Sequence, residues 1–233
     1  MSYLFEMHLH DSEVSRCSPT PAAESAEMYC ADGRYAGVVV TNHLSQYTYE
    51  AKRFADFTWA DKVEYFWNGY EAFKEAARGR LVVLPGMELR FYNSLNDYLV
   101  YGVTREFLDT HGDLMAMNLK SFAELAHENG MVIVQAHPFR RHMEVSDWKV
   151  LDGYEVFNGN PRHWSNNEFA AEWAKAHRAK IVTSGSDFHE HEDLAHGGIF
   201  FENPVTTNEE LVRELLAGRY TLHTPDFEHT NEE

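Results

Sequence analysis

The sequence predicts an α/β fold in which parallel strands, with helices between them, close into a barrel. Three observations carry this expectation. Short β-branched runs alternate with segments of helical period along the chain. Nearly every such run ends on polar residues. At 233 residues the chain is long enough for one barrel-sized domain with a full hydrophobic core. With no internal repeat or low-complexity linker, these β-α units imply a parallel barrel whose chemistry lies at the C-terminal strand ends.

The first strand runs into Met7-His8-Leu9-His10-Asp11. Side chains alternate faces along a strand, so Tyr3, Phe5, Met7 and Leu9 are expected on one face and Glu6, His8 and His10 on the other. A His-x-His pair can chelate a divalent cation, although fourteen histidines offer such pairs by chance. Arg16-Cys17-Ser18-Pro19 reads as a loop, and Thr20-Pro21 supplies a cap and first-turn proline for a helix ending near Gly33. Val38-Val39-Val40-Thr41 forms the next strand and ends at Asn42-His43.

Residues 45–60 hold Tyr47, Tyr49, Phe54, Phe57 and Trp59 without clear period, as a substrate-covering loop or one anchored to the core. A helix over about 61–78 follows, with Val63, Phe66, Trp67, Tyr70, Phe73 and Ala77 on one face. Leu81-Val82-Val83-Leu84 is a buried strand that delivers Pro85-Gly86-Met87-Glu88, and Asp97 introduces the strand Tyr98-Leu99-Val100-Tyr101. Asn118 to Asn129 reads as a helix stopped by Gly130.

Met131 to Ala136 then delivers His137-Pro138-Phe139-Arg140, and Tyr154-Glu155-Val156-Phe157 delivers Asn158-Gly159-Asn160. Phe169 and Trp173 mark the inner face of a helix at about 165–178. Ile181-Val182-Thr183 delivers Ser184-Gly185-Ser186-Asp187-Phe188-His189. A last strand, Ile199-Phe200-Phe201, precedes a helix with Thr207 and Glu210 as a capping box.

Composition narrows the function. A formal charge of −17 argues against nucleic-acid polymers and anionic membranes as partners, since both favour a basic face. Part of that acidity suits ligands for cations. Two cysteines, Cys17 and Cys30, make no disulfide framework. With no basic-apolar leader and no run of about 20 apolar residues, the expected location is the cytoplasm.

Closure of a barrel would gather His8, His10, His43, Glu88, Asp97, His137, Asp187 and His189 at one mouth. Eight such side chains exceed the four to six or so ligands of one cation, which points to two or three metals with a bridging carboxylate. In order, His8-Leu9-His10, Thr41-Asn42-His43, Pro85-Gly86-Met87-Glu88, His137-Pro138-Phe139-Arg140 and Ser186-Asp187-Phe188-His189 resemble the PHP family, named for its occurrence in DNA polymerases and histidinol phosphatases. The resemblance covers nearly the whole chain. It implies a distorted (β/α)7, TIM-like barrel over residues 1–227, followed by an acidic tail at 228–233, and a phosphoesterase with a three-metal site.

Carried over by position, His8, His10, Glu88 and Asp187 would hold one metal; Glu88 would bridge to a second, completed by His137 and Asp97; His43 and His189 would hold the third. Many relatives place a further histidine where this chain has Arg16, so the third metal needs a substitute, for which Glu13 is the nearest candidate. Many also carry Asp where this chain has Asn42. The cofactors implied are two or three divalent ions, zinc, manganese or iron.

The expected reaction is hydrolysis of a small phosphate ester, with a metal-held hydroxide attacking phosphorus. Arg16 and Arg140 are the candidates to hold the phosphate oxygens, since their planar donors engage phosphate in bidentate fashion. His163 and His191 are candidates to protonate the leaving group. Cys17 reads as a soft ligand or an unreactive thiol. Two rival readings are an amidohydrolase-like hydrolase and a non-catalytic metal-binding module. The lack of a strand-end lysine to bridge metals disfavours the first, and the near-complete ligand set the second.

Overall fold

The computed structural model describes residues 2–230. In chain order these form β1 (Tyr3–Glu6), α1 (Ala22–Asp32), β2 (Tyr35–Val40), β3 (His43–Leu44), α2 (Trp59–Ala77), β4 (Val82–Leu89), β5 (Tyr98–Tyr101), α3 (Arg105–Thr110), α4 (Leu119–Glu128), β6 (Val132–Gln135), β7 (Gly153–Asn158), α5 (Asn167–Ala176), β8 (Ile181–Gly185), β9 (Gly198–Phe201), α6 (Asn208–Ala217) and β10 (Tyr220–His223).

The sheet runs β10-β9-β1-β2-β4-β5-β6-β7-β8, with β3 paired to β4. Its two sides meet just beyond β1 and β8. Leu9 bridges Phe188, the His10 amide donates to the Phe188 carbonyl at 2.9 Å, and the Phe188 amide donates to the His8 carbonyl at 3.1 Å. This seam nearly closes a barrel, and it sets His8 and His10 beside Asp187 and His189.

The barrel is mixed rather than all parallel. β5 is antiparallel to β4 and β6, and β9 is antiparallel to β1 and β10. The link over residues 90–97 is shorter than the dozen or so residues a parallel crossover needs, so β4 turns back directly into β5. β4 also runs through Pro85-Gly86, where the sequence suggests its end. Val82–Pro85 pair with β2 and Glu88–Leu89 with β3, so the proline lies where the strand changes partner.

Phe5, Met7, Val39, Leu99, Val134 and Ile199 fill the interior, and Leu211 and Leu215 of α6 pack against them. α1 and α2 cover β1, β2 and β4 through Tyr29, Tyr70 and Phe73. Tyr49 and Phe54 of the aromatic segment are buried in the remaining outer layer, with Phe57 and Trp59 against it, so this segment is anchored to the core.

On α5 the buried stripe is Ala170 and Ala174, whereas Phe169, expected inward, is 58% exposed. The helix starts at Asn167, after Asn166 in left-handed conformation, and Trp173, also expected inward, packs partly buried against the core. α6 is capped by Thr207, whose side chain accepts from the Glu210 amide, but the Glu210 carboxylate turns to Thr206 instead of closing a box.

Of the segment read as an acidic tail, residues 228–230 are described. His229 stacks on Trp164 with ring centroids 3.8 Å apart, and the Thr230 amide donates to the Pro161 carbonyl. Residues 231–233 lie outside the described residues. No described helix is long and apolar enough to cross a membrane.

Candidate metal centre

The strand that delivers the histidine pair does not alternate as expected. Glu6 turns away from His8 and His10, and its Oε1 accepts the amides of Met7, His8 and Ser186 at 2.9–3.0 Å, while Oε2 accepts the hydroxyls of Tyr29 and Ser186. The chain bends at His8. Met7 therefore packs in the barrel interior and Leu9 in the layer under α1, while both imidazoles still reach the mouth. Gly185 permits the close seam, since a Cβ there would stand 2.5 Å from His8 Cβ. His137 and Asp187, at other strand ends, have φ of 28° and 50°, left-handed values that non-glycine residues adopt at a cost and that cluster at functional sites.

These elements bring the eight strand-end candidates together. Donor atoms of His8, Glu88 and His137 lie within 4.8 Å of one another, as do those of His8, His10 and Asp187, of His10, His43 and His189, and of His43, Glu88 and Asp97. Glu88, 1% exposed, is central. Its Oε1 lies 3.3 Å from His8 Nε2 and 3.2 Å from His137 Nε2; its Oε2 lies 3.3 Å from His10 Nε2 and 2.9 Å from His43 Nδ1. Asp187 Oδ1 is 3.4 Å from both His8 Nε2 and His10 Nε2.

The arrangement fits a divalent cation. His8 Nε2, His10 Nε2, Glu88 Oε2 and His137 Nδ1 are buried without a hydrogen-bond partner, an expensive state unless something else satisfies them. A tetrahedron with bonds of about 2.0–2.1 Å has edges of about 3.3–3.4 Å, matching the separations between the two Nε2 atoms and the facing carboxylate oxygens.

Surrounding groups also fix the imidazole tautomers. His8 Nδ1 lies 2.8 Å from Glu155 Oε1, and His189 Nδ1 lies 2.8 Å from the Asp187 carbonyl; each oxygen can only accept, so each Nδ1 carries the proton. The Ser15 hydroxyl donates to Asn42 Oδ1 at 2.8 Å and so must accept at its 3.3 Å contact with His10 Nδ1. In the neutral rings it is therefore Nε2 of His8, His10 and His189 that carries the lone pair. Asn42 thus acts through Ser15 and through Asp11, whose carboxylate accepts from Asn42 Nδ2.

Charge is concentrated here. Burial alone would raise the Glu88 carboxyl, but His43 and His8 hold it well below the usual range. Burial is likewise outweighed at Asp187 by His8 and Arg140. Burial disfavours charge on His8, yet Glu155, Asp187 and Glu88 push its pKa well up. His10 is lowered by burial and by His43 and His189. The carboxylates stay ionised, and their countercharge comes from protons on imidazoles or from bound cations.

Other candidates lie differently. Glu13 does not join the cluster: its Oε2 accepts the Ala22 amide at 2.8 Å at the start of α1. Arg16 is exposed and stacks over Tyr47 at 4.5 Å, donating to the Tyr47 carbonyl. Arg140 reaches the mouth, donating from Nη2 to Asp187 Oδ2 and Asn158 Oδ1, both at 2.8 Å. Asp97 is buried but clasped by Arg90 at 2.7 and 2.5 Å. His191 is exposed and paired with Glu24. His163 is lowered to about 4 by burial and by Arg140, which leaves it neutral near pH 7 and poorly suited to donate a proton.

Sequence reasoning missed one residue at the centre. Glu155, fully buried, binds His8 through Oε1 and accepts the His137 amide through Oε2 at 2.9 Å; a glutamate inside the apolar run of β7 was its signal. Cys17, read from the sequence as a soft ligand or an unreactive thiol, is exposed, with Sγ 3.2 Å from His189 Nε2. Burial would raise its thiol, but His43 and His189 lower it to about 4.

The sequence matches no family model and no curated protein. Solved structures share its fold. PsfC from Pseudomonas syringae is 17% identical, with a TM-score of 0.68 over 96% of this chain and 92% of its own. A two-domain protein from Bacteroides vulgatus, containing a predicted PHP-like metal-dependent phosphoesterase, is 12% identical, with a TM-score of 0.62 over 96% of this chain and 65% of that one. The lesion-specific endonuclease Q of Pyrococcus furiosus is 15% identical, with a TM-score of 0.59 over 95% of this chain and 58% of that one. This chain thus spans less than two thirds of the length of the latter two.

Endonuclease Q has also been crystallised with a 27-mer duplex substrate whose abasic lesion lies at the active site. This overturns the exclusion of nucleic-acid polymers drawn from net charge: the fold admits such a partner, and acidity residing in metal ligands is offset once cations bind. At these identities the likeness is one of fold, and the fold of this chain is that of the PHP-like metal-dependent phosphoesterases and endonuclease Q.

Proposed function

We propose that the chain is a divalent-metal-dependent hydrolase of phosphoesters. The observation that carries this reading is the convergence of buried, unpartnered imidazole nitrogens and carboxylate oxygens at tetrahedral-edge separations. His8, His10, Glu88 and Asp187 would hold one ion, Glu88 with His137 and Asp97 a second, and His43 with His189 a third. Zinc, manganese and iron all suit such mixed nitrogen and oxygen donors. Bound cations of this kind lower the pKa of water and stabilise negative charge on phosphoryl oxygens.

The chain's own residues supply the rest. Each Glu88 oxygen faces two imidazoles, as a bridging carboxylate requires. Glu155 and Ser15 hold His8 and His10 with Nε2 inward. Arg140, anchored on Asp187, Asn158 and Ser165, supports a role in holding phosphoryl oxygens at the rim. The contacts of Arg16 with the aromatic segment favour a place farther out. The same reading takes residues 1–227 as one barrel domain and places it in the cytoplasm, in keeping with two unpaired cysteines.

The test is metal analysis of the purified protein, paired with assays on an aryl phosphate, a bis-aryl phosphate and a duplex bearing an abasic lesion. Two to three metals per chain and turnover that chelation abolishes are expected on at least one phosphoester. Metal-dependent turnover of esters or amides without any phosphoester turnover would replace this reading with hydrolysis at carbon. A metal-free, inactive protein after reconstitution would remove it.

A further inference from the structure

A cavity of about 620 Å³ is built around the aromatic segment that follows β3. Tyr49, Phe54 and Tyr92 supply rings to its lining, and Gln46, Glu50 and Lys62 supply polar groups. Sites for small molecules run from about 300 to 1,000 Å³ and combine aromatic walls with a few polar groups in this way. The Tyr92 ring is pinned at its hydroxyl, which donates to Asp113 Oδ2 at 2.5 Å, yet the residue is 38% exposed. A fixed ring with open surface is a platform for stacking.

Short links tie this cavity to the metal donors. Gln46 stands three residues past His43, at most about 11 Å along the backbone, and the Thr48 hydroxyl donates to the His43 carbonyl at 2.9 Å. Tyr92 stands two residues past Arg90, whose guanidinium clasps Asp97 and whose amide donates to the Leu44 carbonyl at 3.1 Å. Arg16 donates to the Tyr47 carbonyl and lies 3.5 Å from Glu50 Oε2 in the cavity wall, while its neighbour Cys17 touches His189. A molecule with one end at the cluster can therefore reach the cavity past Arg16 and Arg90, both of them partly exposed.

The lining also limits what that molecule carries. Lys62 lies 5.3 Å from the centre of the Tyr49 ring and 3.8 Å from Asp113 Oδ2, so its charge is already met, and Glu50 adds an acid rather than a second base. A second phosphate would find no unmatched cation there; a neutral group suits it. The Gln46 amide both donates and accepts, and the Glu50 carboxylate accepts. Flat rings beside such a pair match a heterocyclic base, whose faces stack and whose edge mixes donors with acceptors. A bare sugar or an alkyl chain would use neither.

We propose that the substrate is a nucleoside monophosphate, its phosphoryl group at the cluster and its base in this cavity, stacked on Tyr92 with its edge toward Gln46 and Glu50. This rests on the reading that the cluster hydrolyses phosphoesters. In that hydrolysis the oxygen of water bonds to phosphorus and the bond from phosphorus to the ester oxygen breaks. One proton of the water ends on the leaving oxygen and the other stays with the phosphate, so nucleoside and inorganic phosphate are released.

The experiment reconstitutes the full chain with manganese or zinc and compares kcat/KM on adenosine 3′- and 5′-monophosphate with that on ribose 5-phosphate. Binding of adenosine, which has no phosphate to hydrolyse, is measured on the same protein by titration calorimetry, and both measurements are repeated on Tyr92→Ala and Tyr92→Phe. The better nucleotide should exceed ribose 5-phosphate about tenfold or more. Tyr92→Ala should lower kcat/KM for that nucleotide and the affinity for adenosine by similar factors with metal content unchanged, and Tyr92→Phe, which keeps the ring, should restore both. Ribose 5-phosphate turned over as well as the nucleotides, with no adenosine bound, would overturn the inference and leave the hydrolase reading standing. Adenosine binding that Tyr92→Ala leaves intact would place the base elsewhere and overturn it too. Turnover of no phosphoester at all would overturn the hydrolase reading, and this inference with it.

Discussion

Glu88 and Glu214 are both 1% exposed, both surrounded by positive partners and both held below the ordinary glutamate range, yet they are satisfied in opposite ways. Glu214 stands on α6, which follows β9 where that antiparallel strand leaves the barrel on the face opposite the site. It accepts two bonds from Arg219, at 2.8 and 2.6 Å, and one from Asn203 at 2.9 Å. Glu88 faces four imidazoles, but its Oε2 makes no hydrogen bond, and the Nε2 atoms of His8 and His10 beside it are unpartnered as well. A buried charge that serves packing alone is closed off by its neighbours. One left open, among other open groups, is arranged for something that comes and goes.

The comparison can be broken most directly at its centre. Glu88→Gln should reduce metal-dependent hydrolysis on the order of 10³-fold or more and remove more than one metal equivalent, because one amide oxygen cannot bridge as two carboxylate oxygens do. Metal analysis alongside initial rates checks this, and retained activity would sink the assignment. Glu155→Gln comes next. Its two oxygens now accept from His8 and the His137 amide, and an amide has only one acceptor, so metal affinity should fall about 10- to 100-fold with the fold intact. Competition with a chelator of known affinity measures it.

Arg140→Lys sharpens the comparison at the rim. KM for a phosphoester should rise several-fold with metal content unchanged, since lysine keeps charge without the planar fork. Loss of metal instead would show that Arg140 serves to hold Asp187 in place. The smallest effect is expected at Glu214. Glu214→Gln should leave metal content and rate unchanged and cost about 1–2 kcal/mol of stability, read as a fall in Tm.

That cost should depend on pH. The ordinary glutamate value of 4.5 is lowered to about 2 at Glu214, first by its hydrogen bonds from Arg219. Its stabilisation is therefore present above 4.5 and lost as pH falls toward 2. The gap in Tm between wild type and Glu214→Gln should be widest near neutrality and close as the pH falls through this window. A gap that widened in acid would contradict it.

Much of the site is legible in the chain. His8, His10, His43, Glu88, His137, Asp187 and His189 each follow or end an apolar run, and barrel closure gathers them without further information. Asp97 belongs with them, although its clasp by Arg90 gives no sign in the sequence. Glu155 is harder to read, because a glutamate inside a strand looks like a solvent-facing residue until His8, 147 positions away, is placed against it. The direction of β5 follows from the short link before it, whereas the bend at His8 depends on Glu6 finding Ser186 across the seam.

Local chemistry is what the sequence determines by itself: the alternation of strand and helix and the donor types each strand carries. These depend on side-chain period, caps and backbone restriction within a few residues. Tertiary structure alone decided which donors meet, which imidazole nitrogen carries the proton, and that Cys17 rather than Glu13 stands beside His189. The contacts of Glu155 with His8 and of Cys17 with His189 join residues more than a hundred positions apart, and exist only once the seam between β1 and β8 has formed.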